Sequence, residues 1–364
     1  MKKILFAAYS LDVGGIETSL VTLLNYLSTQ EYEITLVLEK KQGIFLNSIS
    51  EKINIIEYSP KSGRHRLVNK ICNLVNRFGF IQKYKNRFDF SCAYATYSLP
   101  ASFVARTASK NCALWVHSSY LDLFNENEKL YKQFFIKLHV NKYKNIIFVS
   151  NRSKKEFEKV MCKSNTVVCN NIIDYKSIKC LAEQKIKLKK SKNFTFLYVG
   201  RITENSKKIS RLIEAAIELK NNKLAFKIII IGDGKEMKKI KSIVKSNELN
   251  DYITFLGELK NPYPYFKIAD ALILVSENEG YPVVYNEAKT LGLPILTTNV
   301  SDSKADIQNR YGIVCNQKLE DIVEKMEHLV KNGFTSEINE LNKFDPESFN
   351  NVIIKKIEKI INEE

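Results

Sequence analysis

Short apolar runs and longer amphipathic segments alternate along most of this 364-residue chain. In the first half the runs are "KILFAAY", "YEITLVL", "INIIEY", "FSCAYAT", "CALWVH", "NIIFVS" and "NTVVC". Between them lie segments such as "GGIETSLVTLLNYL", whose apolar residues recur at helical spacing. Apolar runs of strand length alternating with helices predict parallel strands buried on both faces. The rhythm breaks at residues 175–193, "YKSIKCLAEQKIKLKKSKN", a lysine-rich stretch that reads as an interdomain linker. It restarts with "FTFLYVG", "FKIIIIG", "YITFLG", "ADALILVS" and "LPILTT". The pattern predicts an α/β chain with two Rossmann-like, doubly wound domains, residues 1–174 and 194–345. Ligands of such sheets bind beyond the carboxyl ends of the strands, so two domains facing across a cleft would hold the site between them. Residues 346–364 read as a final helix, with Asp345 as N-cap and Pro346 at the first helical position. Its predicted apolar stripe is Phe349, Val352, Ile353, Ile357 and Ile360, which is expected to pack back on the N-terminal domain.

The length fits two domains better than one. An apolar content of 45% with 26% charged residues is ordinary for a protein that buries two cores. Seven cysteines are scattered without a Cys-x-x-Cys pair, and several, such as Cys112 in "CALWV", sit inside apolar runs. An odd count without a framework points to a reducing compartment and away from disulfides or a structural zinc. The start, "MKKILFAAYSLDVGG", imitates a signal peptide but lacks an Ala-x-Ala cleavage site, and it reads as a first buried strand. No apolar stretch approaches the roughly 20 residues of a membrane span. Together these features predict a cytoplasmic protein.

The net charge of +16 is spread unevenly. Residues 1–60 hold five basic and seven acidic side chains, whereas residues 61–90 hold eight basic ones against Asp89 alone. Within that second window Leu67, Val68, Ile71, Leu74, Val75 and Phe78 recur at helical spacing. A basic amphipathic helix is a candidate for an anionic membrane surface. Residues 129–144, "KLYKQFFIKLHVNKYK", repeat the pattern. A solvated lysine-rich face is the plainer reading of either window alone. Two windows in one half favour peripheral association with the inner face of the cell membrane. No binding motif accompanies the charge, so nucleic acid is not an expected partner.

Glycine turns follow several strands. Gly14 and Gly15 precede a predicted helix, Gly200 ends "FLYVG", and Gly232 and Gly234 end "IIIIGDG". Glycine lets a backbone approach a ligand closely, and a helix N-terminus behind it offers N–H groups to an anion. A strand-to-helix turn also needs glycine for geometry alone, and none of these is a G-x-G-x-x-G or a P-loop. In "YVGRITENSKKISRLIEA" Arg201 and Lys207 are cations at the carboxyl edge of a sheet, suited to neutralise a leaving diphosphate. His117 ends the strand in "LWVH", where a lone histidine fits a structural role as well as a functional one. The other three histidines do not cluster, and with no Asp-x-Asp and no cysteine pair nothing points to a metal.

The stretch "SENEGYPVVYNEAKTLGLP" puts Glu279 in a turn with Gly280, Tyr281 and Pro282, and Glu287 on the helix that Pro282 is expected to open. The predicted buried face of that helix is Val283, Val284, Ala288 and Leu291. So placed, the carboxylates are not opposed like the two acids of a glycosidase. Each can instead accept hydrogen bonds from different hydroxyls of one long ligand, with the helix N-terminus between them facing phosphate.

Together with "GGIE", "WVHS", "FVSNRSKKEF", "NNIID", "IIGDGKE", "ITFLG", "NPYPYFKIADALILVS" and "LGLPILTT", these motifs resemble the retaining, family-4 glycosyltransferases of the GT-B fold. The resemblance runs over nearly the whole chain and points to those that build bacterial surface polysaccharides. Its specific part is the E-x7-E block with the upstream arginine and lysine. It implies that Glu279 contacts hydroxyls of the donor sugar, that the backbone around Gly280, Tyr281 and Pro282 holds sugar and phosphates, and that Glu287 holds the ribose. It further implies that Arg201 and Lys207 grip the diphosphate and that Gly200 and Gly232 belong to the donor site. Gly14 and Gly15 would let a loop close near phosphate and acceptor, with His117 near the donor sugar and acceptor hydroxyl. One departure stands out: aligning Lys207 by the following "IEA" needs a one-residue insertion, so "NSKKIS" leaves Lys208 as the other candidate.

The implied enzyme is a metal-independent, hexosyltransferase-type glycosyltransferase with no cofactor beyond a nucleotide-sugar co-substrate. UDP is the commoner base and GDP the other. The implied acceptor is a glycan, a lipid-linked glycan or a teichoic-acid-like polymer, as in capsule and other cell-envelope synthesis. Two rival readings use the same donor site: a sugar-nucleotide epimerase or hydrolase, and a non-catalytic sugar-nucleotide-binding protein.

Overall fold

Each of the twelve apolar runs becomes a strand in the computed structural model, which describes residues 1–12, 14–334 and 344–363. The chain divides into two units, Met1–Ile173 with Phe349–Glu364, and Asp174–Ser348.

In chain order the first unit runs β1 (Lys2–Ala8), α1 (Gly15–Leu27), β2 (Tyr32–Leu38), β3 (Asn54–Glu57), α2 (Arg66–Tyr84), β4 (Phe90–Ala93) and α3 (Leu99–Ala108). It continues with β5 (Cys112–Val116), α4 (Tyr120–Leu123), α5 (Glu128–Lys137), β6 (Asn145–Phe148), α6 (Asn151–Met161) and β7 (Thr166–Val168). These seven strands form one parallel sheet in the order β3-β2-β1-β4-β5-β6-β7. Ile4, Leu5, Phe6 and Ala7 of β1 are wholly buried, as expected for a strand with helices on both faces. From β1 the chain builds outward to β3, then returns to place β4 on the other side. The switch point therefore lies between β1 and β4.

The second unit runs α7 (Tyr175–Ala182), β8 (Phe194–Val199), α8 (Ile209–Asn221), β9 (Phe226–Ile231), α9 (Met237–Ser246), β10 (Ile253–Gly257) and α10 (Tyr263–Phe266). It continues with β11 (Ala271–Leu274), α11 (Val283–Leu291), β12 (Ile295–Thr298), α12 (Ser303–Asp306), β13 (Gly312–Cys315) and α13 (Leu319–Asn332). Its parallel sheet has the order β10-β9-β8-β11-β12-β13, so its switch point falls between β8 and β11.

Three expectations change. The stretch read as a linker opens with a real helix, α7. Asp174 caps it by accepting from Ser177 N at 3.1 Å, and Ile178 and Ala182 are buried where it packs on α10 and α11. Its lysines lie on the remaining face, which is why composition alone hid the helix. The second unit thus begins at residue 174 and runs to 348 rather than covering 194–345; residues 335–343 of that predicted domain lie outside the described residues. Strand β13 is only four residues long and was not anticipated.

The last helix, α14 (Pro346–Asn362), does start at Pro346, and Asp345 Oδ1 accepts from Glu347 N and Ser348 N at 3.0 and 3.2 Å. Its buried stripe is Ile353, Ile354, Ile357, Ile360 and Ile361, while Val352 points outward. From Phe349 on it belongs to the first unit. There Asn111 Nδ2 reaches the carbonyls of Ile360, Ile361 and Glu363 at 3.2, 3.3 and 2.8 Å. No helix among the described residues is long and apolar enough to cross a membrane.

Candidate active site

The loops after β8 and β11 flank the second unit's switch point, and they are tied together there. Lys207 Nζ donates to Glu279 Oε1 at 2.6 Å, and Ser276 Oγ donates to the same oxygen at 2.8 Å. Glu277 N donates to Ser206 O at 2.8 Å, a second tie between the two loops. Two lysines that the sequence could not separate are separated by the backbone. Lys208 adopts a left-handed conformation (φ 47°) at the N-cap of α8, and its Nζ lies 3.0 Å from Glu277 Oε2. Arg211 lies 3.4 Å from the other Glu277 oxygen. Lys207 therefore joins Glu279 and Lys208 joins Glu277. Arg201 is exposed; its carbonyl accepts from Tyr198 Oη at 3.0 Å, and its guanidinium meets no carboxylate among the described residues.

Pro282 is the N-cap of α11 rather than its first helical residue, because its ψ of 118° is still extended. Glu287 lies one turn inside the helix and accepts from Tyr263 Oη at 3.3 Å. Burial pushes its carboxyl up to about 7, against a smaller lowering by the Tyr263 hydrogen bond. Gly280 is fixed through its carbonyl, which accepts from Ser301 Oγ.

Tyr281 turns its side chain inward, so only its backbone is left for a ligand. Its hydroxyl lies 2.5 Å from Asp306 Oδ2 and 3.0 Å from Asn286 Oδ1, and accepts from Lys289 Nζ at 3.0 Å. Lys289 also donates to Asp306 at 3.0 and 3.2 Å, and its buried ammonium stands over the rings of Phe344 and Tyr311 at 4.8 and 5.2 Å. This charged anchor beneath the Gly-Tyr-Pro turn was missed from sequence. The signal for it was Lys289 beside Ala288, on a nine-residue helix whose one other charge is Glu287.

The glycines after β8 and β9 serve each other. Gly232 has φ +137°, and a Cβ there would sit 1.9 Å from the Gly200 carbonyl oxygen; one at Gly234 would sit 2.3 Å from that of Ile202. The close approach of these two turns already accounts for glycine at 232.

The remaining candidates lie in the first unit. Gly14 is the N-cap of α1, in extended backbone, with its carbonyl accepting from Thr18 N and Oγ1, each at 3.0 Å. Gly15 is the first helical residue, and Val13 before them is outside the described residues. His117 follows β5 and is buried against Tyr94 (ring centroids 4.3 Å apart) and Trp115 (5.8 Å, interplanar angle 10°). Neither ring nitrogen has a hydrogen-bond partner among the described residues. Burial lowers its pKa to about 3, so the ring is neutral at physiological pH. Among the described residues no group of three or more His, Cys, Asp or Glu side chains could hold a metal ion.

Residues 181–347 match the family of glycosyl transferases group 1. An uncharacterized glycosyltransferase of Haemophilus influenzae is 25% identical over 357 residues, 91% of either chain. One of Methanocaldococcus jannaschii is 26% identical over 206 residues, 53% of this chain and 49% of that protein, so the match spans about half its length. The lipopolysaccharide 1,6-galactosyltransferase of Escherichia coli is 29% identical over 118 residues, 31% of this chain and 32% of that one. Among solved structures, Anabaena HepE in complex with UDP and glucose superposes with a TM-score of 0.77 at 17% identity, covering 98% of this chain and 100% of that chain. The likeness gives the fold, two parallel-sheet α/β units of the GT-B type. Residues 181–347, most of the second unit, thus match the group 1 glycosyltransferases, and the chain as a whole shares the GT-B fold.

Proposed function

We propose that the protein is a retaining glycosyltransferase that moves a sugar from a nucleoside diphosphate, in the first place UDP, to a hydroxyl of a glycan or lipid-linked acceptor in cell-surface polysaccharide synthesis. The observation that carries this reading is the 2.6 Å contact between Lys207 and Glu279 at the switch point of the second unit. It sets a cation for phosphate beside a carboxylate for sugar hydroxyls. Oε1 of Glu279 takes both Lys207 and Ser276, leaving Oε2 for a ligand hydroxyl. Exposed Arg201 supplies the second positive charge on the diphosphate, and the partly open Glu287 carboxylate takes the ribose hydroxyls. UDP as the base is supported by HepE, and a cell-surface acceptor by the Escherichia coli relative. The basic windows at 61–90 and 129–144 favour an acceptor presented at the inner face of an anionic membrane.

In the proposed reaction the bond from the anomeric carbon to the diphosphate oxygen breaks while a bond to the acceptor oxygen forms on the same face. The acceptor's proton passes to the departing diphosphate, so no metal and no second carboxylate are required. Charge grows on the phosphate oxygens, and fixed cations at that place supply the largest part of catalysis. The neutral ring of His117 serves the acceptor side as a hydrogen-bonding group.

Calorimetric titration with UDP-glucose, UDP-galactose, UDP-N-acetylglucosamine and GDP-mannose tests the donor, followed by NMR of the product's anomeric configuration. Arg201→Ala is expected to lower kcat by roughly a hundredfold or more with an unchanged melting curve. Near-normal turnover of that variant, or an inverted product, would overturn the mechanism. Consumption of donor without acceptor would instead favour the epimerase or hydrolase.

A further inference from the structure

Helix α2 is packed backwards for a soluble protein. Of its side chains only Phe80 is buried, yet Leu67, Val68, Ile71, Leu74, Val75 and Phe78 are 57% to 78% exposed. At roughly 100° per residue these six form a stripe about 120° wide. The residues that touch the domain, Asn69, Asn73, Phe80, Tyr84 and Arg77, whose guanidinium lies 4.5 Å over the Phe103 ring, lie on the side of the helix away from the stripe. The stripe therefore points straight away from the first unit. Scattered single apolar residues on a surface need no explanation, but a contiguous helical stripe marks a surface that meets something.

The flank of the stripe says what it meets. Arg66, Lys70 and Arg77 line a groove between α2 and the preceding loop, with Leu74 of the stripe at its edge. Asn73 fixes that loop by exchanging hydrogen bonds with the Lys61 backbone at 2.7 and 3.0 Å, and Asn69 donates to Gly63 O at 3.2 Å. No acidic residue occurs between Glu57 and Asp89. The second basic window adjoins this flank. His139, just beyond α5, has its pKa lowered first by desolvation and then by the charges of Arg106, Lys142 and Arg77. Arg77 belongs to α2, so the two windows approach each other at this point. A second copy of the chain is a poor occupant, because a two-fold contact would set this all-basic flank against itself. An anionic bilayer complements both parts, with acyl chains for the stripe and lipid phosphates for the flank.

We infer that α2 is a membrane-inserting helix: its apolar stripe enters the interfacial layer of an anionic phospholipid bilayer while Arg66, Lys70 and Arg77 engage the headgroup phosphates. This rests on the membrane-presented acceptor of the proposed function and goes beyond it by naming the element and the mode of attachment.

Flotation of the full chain with vesicles of phosphatidylglycerol and phosphatidylcholine in equal parts, compared with phosphatidylcholine alone, is the test. Binding is expected only to the anionic vesicles. The pair Leu74→Ser with Phe78→Ser should weaken it about tenfold or more without moving the melting curve or the affinity for UDP. In a second variant, Phe78→Trp, the new indole emission should shift to the blue on anionic vesicles and be quenched by brominated acyl chains, against a constant background from the buried Trp115. If the wild type binds no vesicles, the membrane reading itself fails. If it binds and the serine pair binds equally, membrane association stands and α2 is not its anchor. Binding without an emission shift would mean electrostatic docking and would overturn insertion. A concentration-dependent dimer abolished by the serine pair would give the stripe to a second copy and would also overturn the proposal.

Discussion

His117 is a polar ring with nothing to bond to inside an aromatic pocket, and such a group costs the fold about 1–3 kcal/mol. A structural histidine would not be kept on those terms. His117→Phe should therefore hold or raise the melting temperature while lowering glycosyl transfer; a clear loss of stability would mark the ring as structural. Because burial keeps the imidazole neutral, the pH–rate profile should show no limb from this residue near pH 6.5. Glu287 carries the opposite signature. Its folded pKa of about 7 exceeds the roughly 4.3 of an unfolded chain, so the folded state holds a proton that the unfolded state releases. Stability is then lost as pH rises from about 4 to about 7, and stays level above that. Glu287→Gln should raise the melting temperature at pH 8 and leave it nearly unchanged at pH 4, while weakening UDP binding. An equal shift at both pH values would contradict the assignment. At this scale residue types were legible and pairings were not. The sequence marks Lys207 and Glu279 as site residues, but a contact across 72 positions depends on which strands are neighbours. Lys289, whose partner Asp306 lies on another helix, left only a faint mark.

Elements were legible where their pattern is local. Strands buried on both faces are continuous apolar runs, and all twelve that were read from the sequence are present. β13 was passed over although its run, Ile313, Val314 and Cys315 between Gly312 and polar Asn316, is no shorter than that of β7, and α7 escaped because its lysines outweigh the few apolar positions that it buries. In α14 Ile353, Ile357 and Ile360 are buried as expected, but Ile354 and Ile361 take the places given to Phe349 and Val352, since paired isoleucines offer several stripes of similar hydrophobicity. The turns after β8 and β9 depend on a single absent side chain. Gly232→Ala combines an unfavourable φ with a Cβ driven into the Gly200 backbone, and should destabilise the second unit by about 3 kcal/mol or more. Chemical denaturation monitored by hydrogen exchange would localise that loss to β8 and β9.

At the scale of the whole molecule the chain leaves its first unit at residue 173 and comes back to it at residue 349. Five isoleucines of α14 are buried, each worth at most about 1.5–3 kcal/mol, a sum comparable with the stability of an entire domain. Ending the chain after Ser348 should unfold the first unit. Calorimetry should show one transition lost and the second unit's transition kept, whereas two surviving transitions would mean that α14 is dispensable.

Asn350 sits where the two crossings meet: its Oδ1 accepts from Ile173 N at 2.9 Å and its Nδ2 donates to Ile173 O at 2.7 Å. The outgoing strand of chain is thus stitched to the incoming one. During synthesis this gives the protein an order of assembly. The first unit's whole sheet emerges early but lacks α14 while the second unit is made, a delay on the order of ten to thirty seconds at ordinary elongation rates. The second unit, contiguous in sequence, can fold during that interval, and the first must wait for its last helix.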